Sequence, residues 1–153
     1  MIGNQTSKGL RDPFGKFLLL KIIEGFIIIL FSQHLLSRHL RAVAMLLVLG
    51  ILIGLFAGGA QPVAVNLIPS PWDKLAHTII FALLAWAIGV ASGLTGWQQL
   101  GTAFFGAVSV GIFDEWHQIY LPGREAGWTD FAADIAGGLI GTAILEVRHA
   151  IRE

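Results

Sequence analysis

A chain of 153 residues has room for one domain, yet 55% of it is hydrophobic, only 13% is charged, and its mean hydropathy is +0.72. A soluble domain this small buries too little surface to hide so much apolar material, and a disordered chain would be far more polar, so an integral membrane protein remains. A net charge of zero excludes the basic excess of a nucleic-acid binder, and the absence of cysteine excludes disulfides, thiolate metal sites and cysteine nucleophiles.

The zero conceals a segregation of charge. Residues 1–41 hold Lys8, Arg11, Lys16, Lys21, Arg38 and Arg41 against Asp12 and Glu24, a net +4. Within this segment, residues 14–36 read as a basic amphipathic helix lying on the inner leaflet, with a shallow fifth span as the alternative. Lys21 and Glu24, three apart, are placed to pair on one helix face. No segment reads as a cleavable signal peptide, because the first long apolar run begins too far into the chain.

Residues 42–60 are nineteen without a charge, ~28 Å as a helix and close to the ~30 Å of bilayer hydrocarbon. Pro62, Pro69 and Pro71 make 61–72 a connector. A second apolar stretch runs over 75–94, and Ser92 to Gly96 reads as a short turn. A third helix is expected from Trp97 to about Leu121, closed by Pro122-Gly123, and a fourth from Trp128 to about Val147. The expected fold is all-α: a four-span membrane bundle over 42–147, preceded by the basic segment with its interfacial helix and followed by a tail at 148–153. The positive-inside rule puts the N-terminus in the cytoplasm, and four spans return the C-terminus, with Arg148 and Arg152, to the same side. Trp72, Trp97 and Trp128 fall at span ends, where an aromatic belt places them.

Residues 42–145 carry a net −4, and every one of these charges falls near the outer side. Asp73 and Lys74 open the second helix, Asp114, Glu115, His117 and Gln118 close the third, Arg124 and Glu125 sit in the outer loop, and Asp130 and Asp134 open the fourth. His77 lies four residues beyond Asp73, ~6 Å deeper, and Asp114 and Asp134 lie ~9–10 Å inside their spans. Asp114 and Gln118 continue a row of Ala103, Ala107 and Gly111. Asp130 and Asp134 share a face that runs on through Gly137 or Gly138 to Gly141. Gly50, Gly54 and Gly58 repeat every four along the first span, the spacing by which membrane helices approach closely.

Simpler roles compete for several of these residues. Asp73 suits an N-cap, Asp130 suits a helix N-terminus, and a single interior His77 is more often satisfied by a neighbour than used as a ligand. Lys74 and Glu125 read as interfacial charges, and Glu115 and His117 as reaching the aqueous rim. Asp114 and Asp134 resist such readings best, because a carboxylate at that depth costs about 2.5–3.5 kcal/mol on insertion scales.

Asp73-Lys74-x-x-His77 followed by Phe81, Asp114-Glu115-x-x-Gln118, Pro122-Gly123-Arg124, Asp130, and Gly137 to Gly141 together resemble the VanZ-like family of small bacterial membrane proteins. The resemblance covers about residues 42–147 and leaves the first 41 outside. It implies a four-helix protein of the bacterial cytoplasmic membrane. Its founding member is associated with resistance to teicoplanin, a lipidated glycopeptide acting on cell-wall precursors, although members unlinked to resistance are common. Asp134 departs from the family pattern, in which asparagine is frequent at that position.

Three functions fit these residues. The first is a non-catalytic accessory protein that binds an envelope lipid, a lipid-linked cell-wall precursor or a glycopeptide at the outer leaflet. Arg124 would contact phosphate or carboxylate, and Asp73, His77, Asp114, Glu115, Gln118, Asp130 and Asp134 would complete the ligand site. The second is an intramembrane enzyme acting on such a lipid, with a divalent cation on His77, Asp114 and Asp134, or with Asp114 or Glu115 as general base. The third is a proton-linked transporter, which the lack of polar steps in the inner half disfavours. The excess acid of the outer cluster calls for a cationic group or a metal. A reporter fused to the C-terminus is expected on the cytoplasmic side, and an external reporter would overturn the four-span topology.

Overall fold

A computed structural model describes residues 13–65, 67–124 and 127–150, and the chain divides into two compact units, Met1–His39 and Leu40–Glu153. Glu125 and Arg152, expected in the outer loop and the tail, lie outside the described residues, as does the Arg148 side chain. Among the described residues the structure is helical, with no strand.

Helix α1 runs over Pro13–Ile53. In the first unit Lys21 Nζ donates to Glu24 Oε2 at 2.8 Å, the pairing that their spacing allows. Most side chains of the expected amphipathic face lie outside the described ones.

In the second unit α1 passes into a π-turn at Gly54–Gly58, where Gly59 N–H bonds back to the Gly54 carbonyl at 2.9 Å. The Gln61 amide reaches back to the Ala57 carbonyl at 3.1 Å, and Pro62 then opens a short 3-10 turn, Pro62–Ala64. Helix α2 (Trp72–Ser92) follows the proline-rich connector. It ends at Gly93, whose φ of +66° disfavours any residue with a Cβ. The Arg41 guanidinium lies against the same glycine, so α1 at Arg41 meets the turn into α3 (Gly96–Gln118). Helix α4 (Trp128–Ala150) closes the unit. Ser37–Gly58 and Trp72–Ser92 are the two described segments long and apolar enough to cross a membrane by length and composition.

Helix α2 lies at the centre and packs most extensively against α4, and α3 packs against both. Phe81, Leu84, Ala85 and Ala107 form the buried core, with Val48, Ile51 and Leu55 covering it from the first span. The α2–α4 approach is set by glycine. A side chain at Gly137 would run into the Thr78 carbonyl oxygen and Phe81, and one at Gly141 into the Ala82 carbonyl oxygen and Ala85. The expected row on α3 is its buried face, with Ala103, Ala107, Gly111, Asp114 and Gln118 all enclosed.

Two expectations are corrected. Gly50, Gly54 and Gly58 meet nothing within 4 Å, so that row is not a packed seam. Helix α3 stops at Gln118 and the chain turns through 119–121, which leaves Asp114 one helical turn from the end rather than two. Gly141→Ala is therefore expected to lose about 1–3 kcal/mol of stability through overpacking. Gly50→Ala is expected to stay within about 0.5 kcal/mol of the parent. Unfolding midpoints in detergent check the pair.

Candidate functional site

The start of α2, the end of α3 and the start of α4 carry the polar residues in two layers. In the upper layer Lys74 Nζ donates to Asp73 Oδ2 at 2.7 Å and to Asp130 Oδ1, so one ammonium joins the start of α2 to the start of α4. Asp73 does not cap its helix, because Pro71 occupies that position and Asp73 lies in the first turn. There it complements the helix dipole and accepts the Lys74 N–H at 2.9 Å.

The lower layer lies one turn deeper. His77 Nδ1 is 2.8 Å from Asp134 Oδ1, and Asp134 is fully buried. The register that joins Lys74 to Asp130 joins His77 to Asp134, since the two pairs are separated by three residues on α2 and four on α4. The His77 ring also lies parallel to Phe81, with centroids 6.2 Å apart. Gly111 makes room for the carboxylate, because a Cβ there would fall 3.0 Å from Asp134 Oδ2. That oxygen is enclosed without a hydrogen-bond partner among the described residues. Thr78 adds an α2–α4 tie, its hydroxyl donating to the Lys74 carbonyl at 2.9 Å and lying 3.3 Å from the Ala133 carbonyl. On α3 the Gln118 amide donates to Asp114 Oδ2 at 2.9 Å, which pairs the two buried polar groups of that row.

The outer loop is held at both ends. Glu115 Oε2 accepts from Gly127 N–H at 2.8 Å, fixing the entry to α4. The Arg124 guanidinium donates to the Gly59 carbonyl at 3.1 Å, tying the loop to the end of the first span. His117 turns toward Phe56, with centroids 5.4 Å apart, and its Nδ1 is enclosed. Neither Glu115 nor His117 is a free rim residue.

These contacts border a groove of about 980 Å³, and Asp73, His77, Gln118, Arg124 and Asp130 line it together with Lys74. Glu115 instead borders a separate apolar hollow of about 460 Å³ between Trp116, Ile119, Trp128 and Phe131. Asp114 and Asp134 line neither; they stand behind Gln118 and His77. His77, Asp114 and Asp134, the expected cation ligands, are engaged as two separate pairs. Among the described residues no three His, Asp or Glu side chains are arranged to hold a metal ion. Lys74, expected at the interface, instead bridges Asp73 and Asp130 within the site. A lysine directly beside one acid and a turn from His77 was the available signal, but its second partner depends on the α2–α4 register.

Comparison with protein-family models matches residues 4–149, nearly the whole chain, to the family described as VanZ/LLP1. The match takes in most of the N-terminal segment that the sequence resemblance left outside. Comparison with curated proteins and with solved structures gives no match.

Breaking the upper layer should be costly. Lys74→Met leaves Asp73 and Asp130 facing each other in a half-buried position, and a loss of about 1–3 kcal/mol is expected. Adding Asp130→Asn should recover part of that loss, and a double-mutant cycle on unfolding in mixed micelles measures the coupling.

Proposed function

The chain belongs to the VanZ/LLP1 family, and on that premise we propose that it is a multi-pass protein of the bacterial cytoplasmic membrane that binds the headgroup of an envelope lipid or lipid-linked ligand at the outer leaflet. In this reading α3 and α4 span alongside the two more apolar segments, and both termini are cytoplasmic. The observation that carries it is the groove bordered by Lys74, His77, Gln118, Arg124 and Asp130. Its volume falls in the range of small-molecule sites. Its polar groups sit at the helix ends, where headgroups meet water, while Trp72 and Trp128 stand exposed at the same level as interfacial anchors. Shielding of a glycopeptide target, and with it tolerance of teicoplanin-type drugs, is one cellular outcome of such binding.

One observation favours an intramembrane enzyme as the second reading. A histidine oriented by a buried carboxylate, with its other nitrogen toward a groove, is the arrangement of a general base. Native mass spectrometry of the protein, purified in a detergent without sugar groups, separates the two. An intact co-purified lipid that Arg124→Ala loses supports the binding protein. A converted lipid whose conversion stops in His77→Ala supports the enzyme. Wild-type protein that retains no lipid overturns both.

A further inference from the structure

Two of the groove's polar side chains are each held from behind by a buried carboxylate. Asp134 engages His77 Nδ1 at 2.8 Å, and Asp114 accepts from the Gln118 amide at 2.9 Å. Both His77 and Gln118 line the groove, and neither acid does. An ionised carboxylate only accepts hydrogen bonds, so its partner must donate and the polarity of that partner is set. With His77 neutral and Asp134 ionised, the imidazole carries its proton on Nδ1 and leaves Nε2 as an acceptor. The amide donates through its nitrogen and leaves Oε1 as an acceptor. Neither Nε2 nor Oε1 has a hydrogen-bond partner among the described residues.

Two uncharged acceptors on one groove select the chemistry opposite them. A phosphate or carboxylate brings only acceptors and leaves both atoms unanswered. A cationic amine also donates to such acceptors, but it would bring a second ammonium beside Lys74, which already engages Asp73 and Asp130, the two acids lining the groove. Hydroxyl groups donate to such acceptors without bringing a charge.

We propose that the groove takes a hydroxyl-rich headgroup, held through His77 Nε2 and Gln118 Oε1, with Asp134 and Asp114 as positioning residues behind them. The proposal rests on the groove being a headgroup site and names the chemistry of the headgroup. A glycolipid and a soluble sugar share that chemistry, and the test distinguishes them.

The full chain is placed in phosphatidylcholine nanodiscs doped in turn with diglucosyl-diacylglycerol, phosphatidic acid and phosphatidylethanolamine, and the retained lipid is measured by native mass spectrometry. The glycolipid is expected to be retained about tenfold better than the other two, with His77→Phe and Gln118→Leu each losing about five- to tenfold. Asp134→Asn should keep the preference, because its amide oxygen still accepts the Nδ1 proton. Asp134→Leu should lose it while the helical circular dichroism stays intact. The ¹⁵N spectrum of His77 is the readout that a purely structural role for Asp134 would not move: the Nδ1–H tautomer should persist in Asp134→Asn and give way in Asp134→Leu. A soluble glucose disaccharide should displace the glycolipid only at far higher concentration, whereas displacement at equal concentration assigns the groove to free sugars and overturns the lipid source.

Retention of phosphatidic acid or phosphatidylethanolamine above the glycolipid, abolished by Arg124→Ala, overturns the hydroxyl assignment and leaves the headgroup reading standing. Glycolipid retention unchanged in both His77→Phe and Gln118→Leu overturns it as well. No retention of any of the three lipids overturns the headgroup reading itself.

Discussion

Helix α4 rests on the backbone of α2 because Gly137 and Gly141 present no side chain to it. Van der Waals packing between helices, not a hydrophobic driving force, is what holds segments together in lipid, and it rewards close approach. That distance then governs the outer end of the pair. Lys74 spans to Asp130 and His77 to Asp134 only because the helices are near enough for single side chains to bridge them. The polar site is thus a product of an apolar seam one to three turns below it.

The same closeness settles how acids survive at that depth. An unpaired carboxylate in a low-dielectric setting is expensive, and the cost falls when its lone pairs are used. Here the acids are distributed over different partners rather than crowded onto one: an ammonium for Asp73 and Asp130, an imidazole for Asp134, an amide for Asp114 and a backbone N–H for Glu115. Each pairing also joins or steadies an element. The network is a set of fasteners between α2, α3, α4 and the loop that joins the last two.

Much of this was legible in the sequence wherever it depended on the periodicity of one helix. The row from Ala103 to Gln118 follows from residues three and four apart sharing a face, and the buried face is that row. Features that depend on the register between two helices were not legible. Nothing local to Lys74 announces Asp130, fifty-six residues away, and a lysine at a helix start looks the same whether it faces water or a partner. The glycines at 50, 54 and 58 show the converse, since spacing that permits close packing does not supply a neighbour to pack against. The end of α3 was misplaced because Pro122 marks where a helix cannot continue, whereas the last turn had already unwound after Gln118. That Asp114 and Asp134 are absent from the groove lining while His77 and Gln118 belong to it also needed three dimensions, because only the fold tells which of two bonded groups faces the groove.

The π-turn at Gly54–Gly58 forms one wall of that groove, and its final glycine is followed by the carbonyl that receives Arg124. A π-turn holds one residue more per hydrogen bond than an α-turn. A single π-turn is the way an α-helix accommodates one extra residue, so removing that residue would close the turn as α and leave Val48 and Ile51 in their places on the core. The turn is thus both a wall of the groove and the seat of the loop's anchor, so a residue gained or lost within it would alter the mouth of the groove before its floor.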